Sequence, residues 1–320
     1  MPLSPDLFKR LSALNRRRLA DDLVTGRDLA DAPAPSPAAR DGETAAPRAN
    51  GNAAVSEDGP LALEDLIPGR EREAFGGRYY LVDRPAEDFL SPVAGRDAER
   101  ADLSSRYRHV VCGAGRAVEP AGLHESLRPL ILTDPSAIVY LDIETCGLAG
   151  EPLFLVGLLE WDAPALRVRQ FLARDYSEEG PLLADVWRAL GRCECLVTYN
   201  GKTFDMPTVG ARSVACGLFD LPPMPQHVDL LPEARRRWRG VLPDCRLQTV
   251  EQAICARRRR GDIPGCDIPV AYHDFVRAQQ SGDARRRRRS LCRLQTILHH
   301  NALDLLTMAD LVTHILSGGA

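Results

Sequence analysis

Lysine is almost missing from this chain: Lys9 and Lys202 are the only two in 320 residues. Basic charge is carried by arginine, a bias of the kind base composition imposes, so arginine runs count for less as a signal. No Cys-x-x-Cys occurs among the nine cysteines, and the closest pair, Cys193 and Cys195, is separated by one residue. That excludes both a disulfide framework and a zinc pattern; the thiols read as small core residues. No apolar run approaches the ~18 residues of a membrane-spanning helix. The opening Met1-Pro2-Leu3-Ser4-Pro5-Asp6 lacks the basic and apolar regions of a secretory signal. A cytoplasmic protein is expected.

What is present is enough apolar material, 44% of residues, for a sizeable core. The length suits one large domain or two modest ones. Net charge is only −3, but it is unevenly spread. Sixteen Arg and eight acids between Gln226 and Arg293 give that segment +8 and leave −11 for the rest. A basic block in an acidic chain is a local anion-binding candidate. Its runs Arg235–Arg237, Arg257–Arg260 and Arg285–Arg289 either follow phosphates or are solvated charge.

In chain order, Leu3, Leu7, Leu11 and Leu14 are spaced for a short helix. Residues 30–60 are rich in Ala, Pro, Ser and Gly and read as a disordered linker. Residues 1–75 thus form a helix and linker, residues 76–133 a small annex with a strand over Gly76–Val82, and residues 134–320 the main domain. Cys112-Gly113-Ala114-Gly115 reads as a turn. In the main domain, apolar runs predict strands at Ile138–Thr145, Leu153–Trp161 and Leu166–Leu172, the last two joined as a hairpin. Further strands are expected at Cys195–Tyr199 and His227–Leu231. Helices are expected at Glu178–Leu190, Phe204–Cys216, Leu247–Arg258, Tyr272–Gln280 and about 289–316. Three hairpin strands followed by alternating helices and strands predict an α/β fold, a mixed sheet flanked by helices.

The first strand ends in Asp142-Ile143-Glu144-Thr145. Strand side chains alternate, so Asp142 and Glu144 point the same way. Two adjacent carboxylates repel unless a cation lies between them. Asp-x-Glu is then either half of a metal site or a solvated strand end. A second acid, Asp205, follows the strand end Asn200-Gly201-Lys202-Thr203-Phe204, where Gly201 permits a sharp turn. It is a site residue or a helix cap. The third segment is His299-His300-Asn301-Ala302-Leu303-Asp304 in the last long helix. His300 and Asp304, four apart, share a helix face; His299 would diverge unless the helix starts between the two histidines.

Asp-x-Glu on a first strand, Asp after a later strand, and Asp on a final helix preceded by His resembles the DEDD superfamily of 3′–5′ exonucleases, which have an RNase H-like fold. Tyr199–Asp205 resembles the second motif of the exonuclease domains of family-B DNA polymerases. His300–Asp304 is similar to their Tyr-x-x-x-Asp motif with His for Tyr, whereas His299 satisfies the spacing of the histidine-type branch. The segment 137–316 looks closest to the YprB-like ribonuclease H-like proteins, on the phrases Asp262-Ile263-Pro264-Gly265, Leu247-Gln248-Thr249-Val250-Glu251 and His300-Asn301.

The resemblance implies a metal-dependent nuclease. Asp142, Glu144, Asp205 and Asp304 would hold two divalent cations, Mg²⁺ or Mn²⁺, since hard ions take carboxylate oxygens. His300, or else His299, would be the general base. Asn200, Lys202 and Thr145 would contact the nucleic acid strand, with Tyr199, Phe204 or Trp238 as stacking platforms or core residues. The alternatives are a nucleic-acid-binding scaffold with little activity and a structure-specific endonuclease.

Overall fold

The computed structural model describes residues 62–90, 103–113, 123–147, 150–259 and 261–318, all inside one compact unit, Ser56–Ala320. The expected N-terminal helix and the linker over 30–60 lie outside the described residues.

In chain order the elements are α1 (Leu63–Leu66), β1 (Arg70–Ala74), β2 (Gly77–Pro85), α2 (Leu103–Val110), α3 (Pro129–Leu132), β3 (Ile138–Thr145), β4 (Leu153–Asp162) and β5 (Ala165–Leu172). They continue with α4 (Glu179–Leu190), β6 (Cys195–Thr198), α5 (Asp205–Ala215), β7 (Gln226–Asp229), α6 (Leu230–Trp238), α7 (Leu247–Val250), α8 (Ile268–Gln279) and α9 (Ala284–Leu316).

All seven strands form one sheet in the order β1-β2-β5-β4-β3-β6-β7. The pairs from β1 to β3 are antiparallel, and β6 and β7 add in parallel. This is the mixed sheet that three apolar hairpin strands and a later αβ alternation predict. The described residues before Asp134 contribute two of its strands, β1 and β2. Strand β2 pairs with β5 from Tyr80↔Leu172 to Pro85↔Arg167. Strand β1 escaped notice because Arg70-Glu71-Arg72-Glu73 carries no apolar alternation; all four residues are exposed at the sheet edge.

The two-residue period of β3 divides its side chains between two cores. Val139, Leu141 and Ile143 pack with Leu182, Leu183 and Val186 of α4. Ile138 and Tyr140 pack with Ala302, Leu305, Leu306 and Ala309 of α9. Asp142 and Glu144 continue the second face towards the C-terminal end of the strand. Helix α9 has 33 residues, about 50 Å at 1.5 Å per residue. Its first half serves one core through Leu291, Leu294 and Ile297, and its second half the other.

Several boundaries differ from those expected. Strand β7 stops at Asp229, whose side chain accepts from the Leu231 amide and caps α6; Leu230 and Leu231 are helical and buried. Helix α7 passes into a single π-helical turn, Glu251–Cys255, and ends at left-handed Ala256 (φ +48°). Arg257–Arg259 are therefore not helical. Of the nine free thiols, Cys146, Cys193 and Cys195 are buried, Cys112, Cys216, Cys245 and Cys255 are half-buried against the cores, and Cys266 and Cys292 are exposed.

Candidate active site

The C-terminal ends of β3 and β6 and the middle of α9 bring the sequence-predicted acids into one neighbourhood. Asp142 stands opposite Gly157 in the β3–β4 ladder, and Gly157 opposite Gln170 in the β4–β5 ladder. Helix α9 lies across that row. A Cβ on Gly157 would fall 2.2 Å from Asn301 Oδ1 and 2.8 Å from Leu305 Cδ1, so only glycine admits the helix at this depth. Gln170 Nε2 donates to Asn301 Oδ1 at 2.8 Å and to the Leu298 carbonyl at 2.6 Å. Asn301 Nδ2 donates to Asp142 Oδ2 at 2.8 Å. Helix and first acid are thus locked together.

Asp205 opens α5 and is 5% exposed. The turn before it is held from β7: Asp229 accepts from the amides of Asn200 at 2.8 Å and Lys202 at 3.2 Å. Asn200 adopts φ +68°, a conformation that Asn tolerates better than most residues. A Cβ on Gly201 would fall 2.4 Å from the Thr198 side chain, so the turn also needs that glycine. Asn200, Lys202 and Phe204 are exposed beside it. A cavity of about 410 Å³ opens next to the turn, lined in part by Tyr199, Asn200, Arg235 and Arg246.

On α9, His300 Nε2 lies 3.5 Å from Asp304 Oδ2, and His300 Nδ1 lies 2.8 Å from Asp262 Oδ1. His299 makes neither contact; burial holds its pKa low. Asp304 Oδ1 accepts from Arg259 Nη2. Thr145 turns away, its hydroxyl donating to the Gly147 carbonyl at 2.7 Å.

The electrostatics link the four acids. Burial, then the charges of Asp304, Glu144 and Asp205, push the Asp142 carboxyl well above its usual range. Burial raises Glu144 to about 8; nearby His300 opposes this, while Asp304, Asp205 and Asp262 add to it. Burial raises Asp205 to about 7 against hydrogen bonds from its own amide and that of Ile143, with the charges of Asp229 and Asp304 adding to the rise. Burial disfavours charge on His300, but the Asp262 hydrogen bond and the charges of Asp304 and Glu144 outweigh it and raise the imidazole pKa. Asp304 is paired with Arg259, but Asp142, Glu144 and Asp205 make no ion pair among the described residues; the donor set is hard oxygen, the chemistry of Mg²⁺ or Mn²⁺. In the present side-chain arrangement, no three His, Cys, Asp or Glu side chains among the described residues are grouped so as to hold one ion. Asn301 and Arg259 each occupy one oxygen, of Asp142 and Asp304 respectively.

A sequence model of the RNase H superfamily matches residues 139–316, more than half of the chain. The chain belongs to the RNase H superfamily. Among curated proteins, it is 34% identical over 184 residues to the uncharacterized protein YprB of Bacillus subtilis (strain 168). That match covers 56% of this chain and 41% of the relative, so the chain spans less than half of that protein's length. Among solved structures, the family B DNA polymerase of the archaeon Pyrobaculum calidifontis is similar with a TM-score of 0.43 and 16% identity, over 56% of this chain and 24% of the polymerase. Membership of the RNase H superfamily supports nuclease chemistry on nucleic acid. No helix among the described residues is long and apolar enough to cross a membrane.

Within the RNase H-like domain, sequence reasoning did not single out Asn301, Asp229, Asp262 or Arg259, which hydrogen-bond to the candidate residues or to the turn before Asp205. It also gave the arginine block no partners within the fold. Arg236 and Arg237 pair with Glu233. Arg257 binds Glu251 and Asp310, and Arg259 is 6% exposed among carboxylates. The expected phosphate track over Arg257–Arg260 is corrected accordingly: burial and ion pairing remove Arg257 and Arg259 from it, and Arg260 lies outside the described residues. Arg235, Arg285, Arg286, Arg288 and Arg289 are exposed. Trp238, a proposed stacking platform, is 4% exposed and belongs to a core, whereas Phe204 is 41% exposed.

Proposed function

We propose that this chain is a divalent-metal-dependent nuclease of the cytoplasm, acting as a 3′–5′ exonuclease on a nucleic acid strand. The observation that carries this reading is the meeting of buried carboxylates from three separate segments, of which Asp142, Glu144 and Asp205 have no ion-pair partner among the described residues and are raised by burial and by one another's charge. A binding surface for phosphates gains nothing from such repulsion. Asp142, Glu144, Asp205 and Asp304 would hold two Mg²⁺ or Mn²⁺ ions, which when bound neutralise the phosphate and acidify water. His300, with Nε2 towards Asp304, is oriented to take a proton, and an imidazole suits that role near neutral pH. Exposed Phe204 offers a stacking face beside Asp205. Asn200, Lys202 and the arginines of the adjoining cavity offer donors to a phosphate backbone.

One observation favours a second reading, a nucleic-acid-binding scaffold with little activity: among the described residues the side chains are not grouped to hold an ion as they stand. The two separate on one experiment. Purified chain is incubated with 3′- and 5′-labelled single- and double-stranded DNA and RNA, with Mn²⁺ and with chelator. The exonuclease reading expects a Mn²⁺-dependent ladder shortening from the 3′ end, lost in Asp142→Ala and Asp304→Ala by about 10³-fold or more, the scale of removing a main charge-stabilising group. Internal cuts at branched positions would indicate an endonuclease. Binding without cleavage, or variants as active as the native chain, sinks the proposal.

A further inference from the structure

Two phrases singled out in the sequence, Leu247–Glu251 and Asp262–Gly265, supply none of the four candidate ligands. They meet behind the site, at one arginine. The Arg259 side chain spends each guanidinium nitrogen on a different carboxylate: Nε on Glu251 at 2.6 Å, Nη1 on Asp262 at 3.3 Å and Nη2 on Asp304. The three acids come from the π-helical turn, the loop before α8 and the middle of α9. The left-handed turn at Ala256 precedes this stretch, and both Arg257 and Arg259 reach α9, Arg257 at Thr307 and Asp310 and Arg259 at Asp304.

Asp262 is itself shared. Its Oδ2 receives Arg259 Nη1 and Gln248 Nε2, each at 3.3 Å, while its Oδ1 receives the Ile263 amide at 2.9 Å and meets His300 Nδ1 at 2.8 Å. An ionised carboxylate only accepts, so the imidazole hydrogen sits on Nδ1 and Nε2 is left facing Asp304. We propose that Arg259 is the positioning residue of the candidate site, fixing Asp304 directly and His300 through Asp262. This rests on the metal-dependent reading above. The role needs the planar fork, because a lysine ammonium is a point charge that cannot present the same three directions. Groups behind metal ligands commonly set the ligands' orientation in this way.

The test is Mn²⁺ affinity of the full chain, followed by calorimetry and by the loss of free-ion EPR signal, in Arg259→Lys, Arg259→Gln and Arg257→Gln. Arg257→Gln is the control: it breaks the adjacent buried pairs with Glu251 and Asp310 without touching Asp304. Both Arg259 variants are expected to bind Mn²⁺ about 10–100-fold more weakly. Arg257→Gln should lower the melting temperature yet leave affinity within about twofold, since Arg257 lies behind no ligand. Arg259→Lys binding like the native chain would mean that charge alone matters and would overturn the proposal. So would Arg257→Gln weakening Mn²⁺ as much as Arg259→Gln. If Arg259→Gln does not fold, Asp262→Asn keeps Arg259 paired and is read by the ¹⁵N shifts of His300. A move from one tautomer to a mixture supports the positioning chain, and unchanged shifts refute its His300 arm. A native chain that binds no Mn²⁺ overturns the metal-site reading and this proposal together, whereas binding that ignores Arg259 overturns only the proposal.

Discussion

Two charged clusters lie along helix α9, and they treat the same residue types in opposite ways. Around Glu251, Asp262 and Asp310 every carboxylate faces an arginine, with Thr307 closing the network at 2.8 Å from Glu251. Around Asp142, Glu144 and Asp205 no ion pair among the described residues offsets the charge, and burial holds the carboxyls above their usual range. Asp304 is the hinge between them, accepting from Arg259 on one oxygen and facing His300 Nε2 with the other. A compensated cluster holds segments together. An uncompensated one holds chemistry in reserve, because the fold tolerates its repulsion only where a ligand can relieve it.

The comparison breaks most readily at Glu251. Glu251→Gln should destabilise the chain by about 3–5 kcal/mol, because it leaves Arg257 and Arg259 buried with too little negative charge; denaturant unfolding measures this. The same change in the other cluster should have the opposite sign. Glu144→Gln should stabilise the metal-free chain by about 1–3 kcal/mol at pH 8, since it removes a charge that the fold disfavours. If both substitutions destabilise, the two clusters are alike and the distinction fails.

A pH series sharpens the contrast. Glu144 is raised from 4.5 to about 8, and Asp205 from 3.8 to about 7. For an acid raised in the folded state, unfolding releases protons as pH climbs. The stability these groups permit is complete below their unfolded values near pH 4 and is lost as pH rises to 7–8. In chelator, the melting temperature of the native chain should therefore fall from pH 5 to pH 8, less so in Glu144→Gln, and Mn²⁺ should flatten the slope. A flat profile in chelator would remove the claim that these acids are uncompensated. The smallest effect is expected at the start of α9. Neutralising Arg285, Arg286, Arg288 and Arg289, which lie about 22–28 Å along the helix from Asp304, should reduce the salt dependence of nucleic acid binding and leave unfolding nearly unchanged. An unaltered slope would make them solvated charge.

Much of the sheet and part of the site were legible because they follow local periods. The apolar run at Ile138 and the hairpin at Leu153–Leu172 announce strands. The alternation that buries Ile143 also sets Asp142 and Glu144 side by side. The supporting residues carry no such signal. Asn301 reaches Asp142 across 159 positions, and Arg259 reaches Asp304 across 45. Gly157 stands inside the apolar run Leu153–Trp161 with nothing in the sequence to mark it, and its role emerges only where α9 crosses it. The Arg257–Arg260 run misled for a related reason: charge in a sequence suggests solvent, yet Glu251, Asp262, Asp304 and Asp310 supply enough acid to bury two of those residues.

The charged border at β1 has a bearing on how the molecule behaves in company. A strand at the rim of a sheet offers unpaired amides and carbonyls to any passing chain. Here the first four positions of that rim alternate arginine and glutamate, all in water. An incoming strand would have to strip hydration from each of them while finding no apolar partner on either side. Along that margin charge opposes further strands, and growth by edge-to-edge stacking is checked by side chains that supply none of the candidate ligands.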